Sequence, residues 1–199
     1  KTIFTIDGPT AKDLDDAVSI EMLPNGNYLL GVHIADVSHF VAEDGYLDRE
    51  ALKRGTSVYL INRVVPMLPK ALSNGSCSLN EGEDKLTLSC FMEIDGEGAV
   101  VDHTIQESVI RSSARLVYDD VSDILEKDDP GLSKKYSSIV GDIKLMGELA
   151  AILRHRRKQK GSLDFDISEA VITLDEDENP IAVELEERRT ANRLIEEFM

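Results

Sequence analysis

Short apolar blocks alternate with polar turns along the chain, and the spacing inside each block predicts its element. Residues 2–6, β-branched and aromatic, predict a buried strand. Residues 17–23 and 28–34 are apolar runs flanking "PNGN", whose Asn and Gly tolerate a tight turn, so they predict a hairpin. The stretch 35–41 predicts a loop, and 46–54 carries apolar residues at helical spacing. Residues 57–65 predict one strand ending at Pro66, and 69–80 an irregular segment. A second hairpin is predicted from 86–94 and 100–112 around "DGEG". Residues 118–125 predict a short helix with Asp119 or Asp120 near its N-terminus. Ile139, Ile143, Met146, Leu149 and Leu153 recur every three or four positions, one apolar face of a long helix. That helix ends in "RHRRKQKG", with cations complementing its dipole and Gly161 as its cap. A last hairpin, 170–174 with 181–185 around "DEDENP", precedes a final amphipathic helix. The sum predicts one α/β (α+β) domain over residues 1–199, a mixed, largely antiparallel sheet with packed helices.

Composition narrows the classes. The chain has 199 residues, 42% hydrophobic and 30% charged, enough to bury a substantial core. A formal net charge of −16 argues against non-specific adhesion to nucleic acid or anionic membrane, while leaving room for a local basic channel. No apolar run approaches the ~20 residues a transmembrane helix requires, so no membrane is expected as a partner. The opening residues lack the apolar stretch of a signal peptide. Cys77 and Cys90, the two cysteines, read as a reduced pair, which suits a cytoplasmic protein. The chain opens directly on a strand and closes on an amphipathic pattern without a stop signal, so it reads as a segment of a longer polypeptide.

The chemistry concentrates in "IDGPTAKDLDDAV", which holds Asp7, Asp13, Asp15 and Asp16. Like charges a few Å apart raise each other's pKa, so the cluster calls for a lysine or arginine from elsewhere, or a divalent metal. Hard oxygen donors suit Mg²⁺, Mn²⁺ or Ca²⁺ and not zinc. The EF-hand register fails: counted from Asp13, the sixth position is Val18 and the twelfth Pro24. Phosphate-transferring aspartate motifs fail too, because Asp7 is followed by Gly8 and Pro9. What remains is a loop suited to wrapping one or two Mg²⁺ ions that activate water against a phosphodiester, or else a solvated acidic loop. His33 and His39 flank Asp36 and read as structural histidines rather than ligands.

"IDGPTAKDLDDAV" followed by "GVHIADVSHFV" resembles the opening of the catalytic (RNB) domain of the ribonuclease II/ribonuclease R family. The likeness continues, in order, through "LINRVVPMLPKALSNGSCSLNEGEDKLTLSC", "RSSARLVYDDV", "GSLDFD" and "EERRTANRLIEEFM", with details closer to the bacterial ribonuclease R branch. Gly8 stands where many relatives carry Pro or Ser. The resemblance implies a metal-dependent, processive 3′→5′ exoribonuclease that releases nucleoside 5′-monophosphates. It implies Mg²⁺, with Mn²⁺ as a substitute, held by Asp7, Asp13, Asp15 and Asp16, and turnover that depends most on Asp15. It implies that Tyr59 and Phe165 stack on the 3′-terminal bases, a sequence-tolerant contact. Tyr118 and either Glu196 or Glu197 match positions that contact RNA sugars, where a 2′-hydroxyl distinguishes RNA from DNA. "RHRRKQK" suits tracking an RNA backbone or complementing the helix dipole. The implied partners are single-stranded RNA or RNA 3′ ends, with flanking RNA-binding β-barrel domains and a "SPIRRY"-type arginine block beyond Met199. The alternatives are a catalytically silent RNA-binding relative, or an acidic Mg²⁺/Ca²⁺-binding structural module.

Overall fold

The structure is a computed structural model that describes residues 1–163 and 169–199. The chain begins with β1 (Phe4–Asp7), β2 (Asp16–Met22) and β3 (Tyr28–Ala35). Next come α1 (Tyr46–Arg54), the three-residue strands β4 (Val58–Leu60) and β5 (Arg63–Val65), the hairpin β6 (Asp84–Ile94) and β7 (Val100–Arg111), and β8 (Ala114–Val117). Then follow α2 (Tyr118–Lys127), α3 (Pro130–Lys135), α4 (Val140–Gln159), β9 (Glu169–Leu174), β10 (Pro180–Glu186) and α5 (Thr190–Phe198). The main sheet has the order β7-β6-β3-β2-β1-β8, and β4–β5 and β9–β10 make two small sheets. Its ladders are antiparallel except β1–β8, where Phe4 pairs with Ala114 and Asp7 with Val117. The predicted mixed, largely antiparallel α/β architecture is thus the one observed.

Strand alternation gives the sheet one apolar face. Phe4 and Ile6 of β1, Val18 and Ile20 of β2, and Leu30 and Val32 of β3 bury against Val121 and Ile124 of α2, Ile143, Met146 and Leu149 of α4, and Leu194 and Phe198 of α5. Full burial of each such side chain is worth about 1.5–3 kcal/mol. Arg189 locks α5 to α2 by pairing with Asp119, Asp123 and Glu126, and holds Glu126 down at about 2. On the opposite face a second, smaller core gathers Leu14, Ala17, Ala35, Cys77, Leu79 and Ile110.

On the same face as this smaller core runs a buried polar chain. Ser19 Oγ lies 3.1 Å from His33 Nε2, His33 Nδ1 lies 2.7 Å from Ser89 Oγ, and Ser89 Oγ lies 2.6 Å from Ser108 Oγ, linking β2, β3, β6 and β7. Burial pushes the His33 imidazole down to about 4, and both its ring nitrogens are engaged, so it is structural as expected. Gly31 makes the close approach possible: a methyl there would collide with Ser19 Oγ and stand 3.0 Å from His33 Nε2. Gly31→Ala is therefore expected to destabilise the fold by about 1–3 kcal/mol, read as a lower urea midpoint with an unchanged slope.

Several expectations need correction. Residues 57–65 are not one strand: the Leu60–Arg63 pair closes a turn at Ile61 and Asn62, so the segment satisfies its own backbone as a hairpin. The stretch 69–80 is not wholly irregular but contains a π-helical turn, Leu72–Ser76. The loop 35–41 contains the 3₁₀ turn Val37–His39, capped by Asp36, whose carboxylate accepts from His39 N at 3.1 Å. β8 and α3 were not predicted. β8 is four residues long and exists through its parallel pairing with β1, while Asp129 caps α3 by accepting from Leu132 N at 2.8 Å.

Candidate active site

The aspartate loop is the connection between β1 and β2, and an inward-pointing leucine shapes it. Leu14 is 1% exposed in the smaller core, which leaves its neighbours Asp13 and Asp15 on the cleft side of the chain. Its backbone is fully engaged by the segment that follows the π-helical turn. Leu14 N donates to Ser78 Oγ at 3.1 Å, Leu79 N donates to Leu14 O at 2.8 Å, and Ser78 Oγ donates to Lys12 O at 3.0 Å. Ala35 N donates to Asp15 O at 2.9 Å, fixing the start of β2. Asp7 ends β1, so one strand end and one strand start hold the carboxylates together.

They face a cleft of about 550 Å³ lined by Asp7, Asp13, Asp15, Tyr59, Lys70, Ser73 and Asn74, among others. That volume lies within the ordinary range of small-ligand sites. Burial, reinforced by the Asp16 charge, raises the Asp7 carboxyl to about 7. Burial also raises Asp15, with Asp13 and Asp16 adding to it, and raises Asp16. Among the described residues, Asp7 Oδ2 is buried without a hydrogen-bond partner. A buried, partnerless carboxylate oxygen is costly, and here it sits among other carboxylates that oppose its ionisation.

Part of the counter-charge comes from Arg115 of β8, whose field lowers Asp7. Its Nη2 donates to Ala11 O at 2.6 Å and reaches Pro9 O at 3.3 Å and Gly8 O at 3.5 Å. The remainder fits a hard cation in kind: oxygen donors, an orphaned buried oxygen and uncompensated charge. Among the described residues no three His, Cys, Asp or Glu side chains form a closed ligand cage, so binding requires carboxylates to turn inward. Asp13 is turned elsewhere, accepting from Tyr59 Oη at 2.6 Å. That bond, more than burial, pushes the Tyr59 phenol up to about 12.

The remaining residues expected in the site fall at different places. Tyr59, on β4, is 65% exposed and lines the cleft, so its ring has a free face. Tyr118 directly follows Val117, the strand partner of Asp7, and packs in part against the main core. Glu197 is 5% exposed and takes Arg157 bidentately, Nε to Oε2 at 3.0 Å and Nη2 to Oε1, which ties α5 to α4. Glu196 pairs with Arg188. Neither glutamate lines the aspartate cleft. Phe165 lies outside the described residues. Sequence reasoning missed Leu14, Ser78 and Arg115; the one available signal was the alternation Asp13, Leu14, Asp15, an apolar residue set inside an acidic run.

Comparison with known proteins agrees with this geometry. Residues 1–199 match the RNB domain family. Ribonuclease R of Thermotoga maritima is 54% identical over 200 residues, covering 100% of this chain and 28% of that protein. Ribonuclease R 1 of Lactococcus lactis is 52% identical over 196 residues, covering 98% of this chain and 24% of that protein. The chain thus spans about a quarter of the length of these curated relatives. Among solved structures, Mycoplasma genitalium RNase R in complex with ribose-methylated single-stranded RNA superimposes with a TM-score of 0.90 at 30% identity, covering 100% of this chain and 30% of that one. Yeast Ssd1, a pseudonuclease, shares the fold at a TM-score of 0.74 and 22% identity, covering 99% of this chain and 23% of that one.

Proposed function

The chain belongs to the RNB domain family, and on that premise we propose that it carries the hydrolytic centre of a Mg²⁺-dependent exoribonuclease that shortens RNA processively from its 3′ end. The observation that supports this most directly is the buried, partnerless Oδ2 of Asp7 beside two further carboxylates held protonation-prone by burial. Asp7, Asp13, Asp15 and Asp16 are the donors that would hold the metal, with Mn²⁺ as a substitute. When bound, the ion supplies a lowered water pKa and charge stabilisation at the scissile phosphate.

The protein's own groups do the rest. Asp15, exposed at the mouth, orients the attacking water, which adds to phosphorus as the 3′-oxygen leaves; the released nucleotide keeps a 5′-phosphate. Tyr59 offers a stacking face to a base at the 3′ end, worth ~1–3 kcal/mol per base. Tyr118 serves the sugar, and a glutamate of α5 can join it only by leaving its arginine. Residues 154–160, the basic end of α4, divide their roles, since Arg157 is committed to Glu197 and Ser162. Partners are RNA 3′ ends and, by analogy with the longer relatives, further RNA-binding domains of the same polypeptide. The cytoplasm is the proposed location.

A catalytically silent relative is the second reading, because a pseudonuclease shares the fold. Retention of all four aspartates favours turnover. The test follows uniformly labelled single-stranded RNA in Mg²⁺, in EDTA, and beside a DNA oligomer of the same sequence. Mononucleotide release with full-length substrate persisting, only in Mg²⁺ and only from RNA, is expected. Internal cleavage, or equal rates in EDTA, overturns the proposal.

Tyr59 yields a separate expectation. Tyr59→Ala removes the stacking face, so the final product should lengthen by one or more nucleotides, resolved on a sequencing gel. Tyr59→Phe keeps the face and frees Asp13, so its end product should match the parent. An unchanged end product in Tyr59→Ala makes this side chain mere packing.

A further inference from the structure

We propose that Arg115 is the positioning residue of the carboxylate site, holding the loop between Asp7 and Asp13 closed so that the aspartates stay within reach of one shared cation. The proposal rests on the metal-dependent reading above. Its basis is geometric. The Nη2 group has two N–H bonds and faces three carbonyls of one loop, with Ala11 O closest at 2.6 Å and Pro9 O and Gly8 O sharing the remainder at 3.3 and 3.5 Å. Within the loop itself, Ala11 N donates to Gly8 O at 3.2 Å. Pro9 has no N–H to add to it. The tether that draws the loop toward β8 therefore comes from a residue more than a hundred positions away.

Arg115 is also well placed to act without being needed for its own strand. Its backbone pairs with Thr5 in the β1–β8 ladder, and its N–H donates to Glu81 Oε2 at 3.1 Å. Truncating the side chain leaves those bonds in place and releases only the loop. The guanidinium also sets a fixed positive charge behind a cluster of carboxylates, which keeps them together before a cation arrives. An ammonium in its place keeps the charge and loses the planar reach across the carbonyls.

Arg115→Ala and Arg115→Lys separate these parts, with Mn²⁺ affinity by calorimetry on the otherwise native protein, in the absence of RNA, as the readout. Loss of an outer-shell partner typically costs 10–100-fold in metal affinity. Arg115→Ala should weaken Mn²⁺ by a factor in that range, with Arg115→Lys in between. Excess Mn²⁺ should restore much of kcat to Arg115→Ala, while KM for RNA stays within about twofold. Mn²⁺ affinity within twofold of the parent in folded Arg115→Ala overturns the proposal, as does raised KM with unchanged metal affinity, which would make Arg115 a substrate contact. If Arg115→Ala does not fold, Arg115→Lys decides by the same criterion. Failure of the parent itself to bind Mn²⁺ would sink the metal-dependent reading instead.

Discussion

Asp15→Asn is expected to leave RNA binding nearly intact and to stop its hydrolysis. The substitution is isosteric, and among the described residues the Asp15 side chain makes no hydrogen bond or ion pair, so the loop held by Leu14, Ser78 and Arg115 should keep its shape. What disappears is a full negative charge at the cleft mouth, where burial and the Asp13 and Asp16 charges already strain the carboxylate. A group acting on the attacking water and the local charge contributes to the transition state and little to the ground state, so kcat falls and KM stays. Removing one such preorganised group costs about 10²–10³-fold, and a larger loss is expected here because cation binding also suffers. Single-turnover rates with saturating enzyme, beside RNA affinity by filter binding, measure the two effects. Turnover within tenfold of the parent, or affinity lost in step with turnover, refutes the role.

The second large effect concerns stability against pH. In the native protein Asp7 holds its proton up to about 7, whereas an unfolded aspartate releases it near 3.8. Between those values the native state binds more protons, so stability falls as pH rises. His33 works in the opposite direction: native about 4, unfolded about 6.5, so its contribution is present above 6.5 and lost as pH falls toward 4. In chelator these two slopes oppose each other over most of the interval between 4 and 6.5, and Asp15 and Asp16, also raised by burial, act in the same sense as Asp7. Asp7→Asn removes one slope. It should melt several degrees higher than the parent at pH 7.5 in EDTA, on a scale of about 2–4 °C per kcal/mol, and lose more stability than the parent on acidification from 6.5 toward 4. Mg²⁺ should raise the parent's melting temperature and leave the Asp7→Asn, Asp16→Asn double variant unmoved, with calorimetric heat of binding lost in the latter. A parent and Asp7→Asn with the same pH profile would show that Asp7 ionises as an ordinary surface carboxylate.

Much of the fold was legible because its information is local. The hairpins β2–β3 and β6–β7 carry period-two patterns about Gly-containing turns, and the apolar face of α4 repeats at helical spacing. These elements form where neighbours in sequence already agree on a geometry. The 57–65 segment misled because β-branched and aromatic residues mark strand content without saying where the chain folds back. β8 was invisible for a related reason: four residues, one of them an arginine, become a strand only when β1 lies parallel to them.

The same division runs through the site. The sequence by itself determined that four carboxylates share one loop, that their charge needs an opposite partner, and that hard cations suit them. Only the tertiary structure decided which oxygen is buried without a partner, that Tyr59 reaches Asp13 from 46 positions away, and that Glu197 is spent on Arg157 while Glu196 pairs with Arg188. It also decided where part of the counter-charge comes from. Ionisation cost depends on burial and on charges within a few Å, and both are set by which distant segments pack together, a quantity that spacing along the chain does not contain. Arg115 lies 104 positions beyond Ala11 in sequence and 2.6 Å from its carbonyl in space.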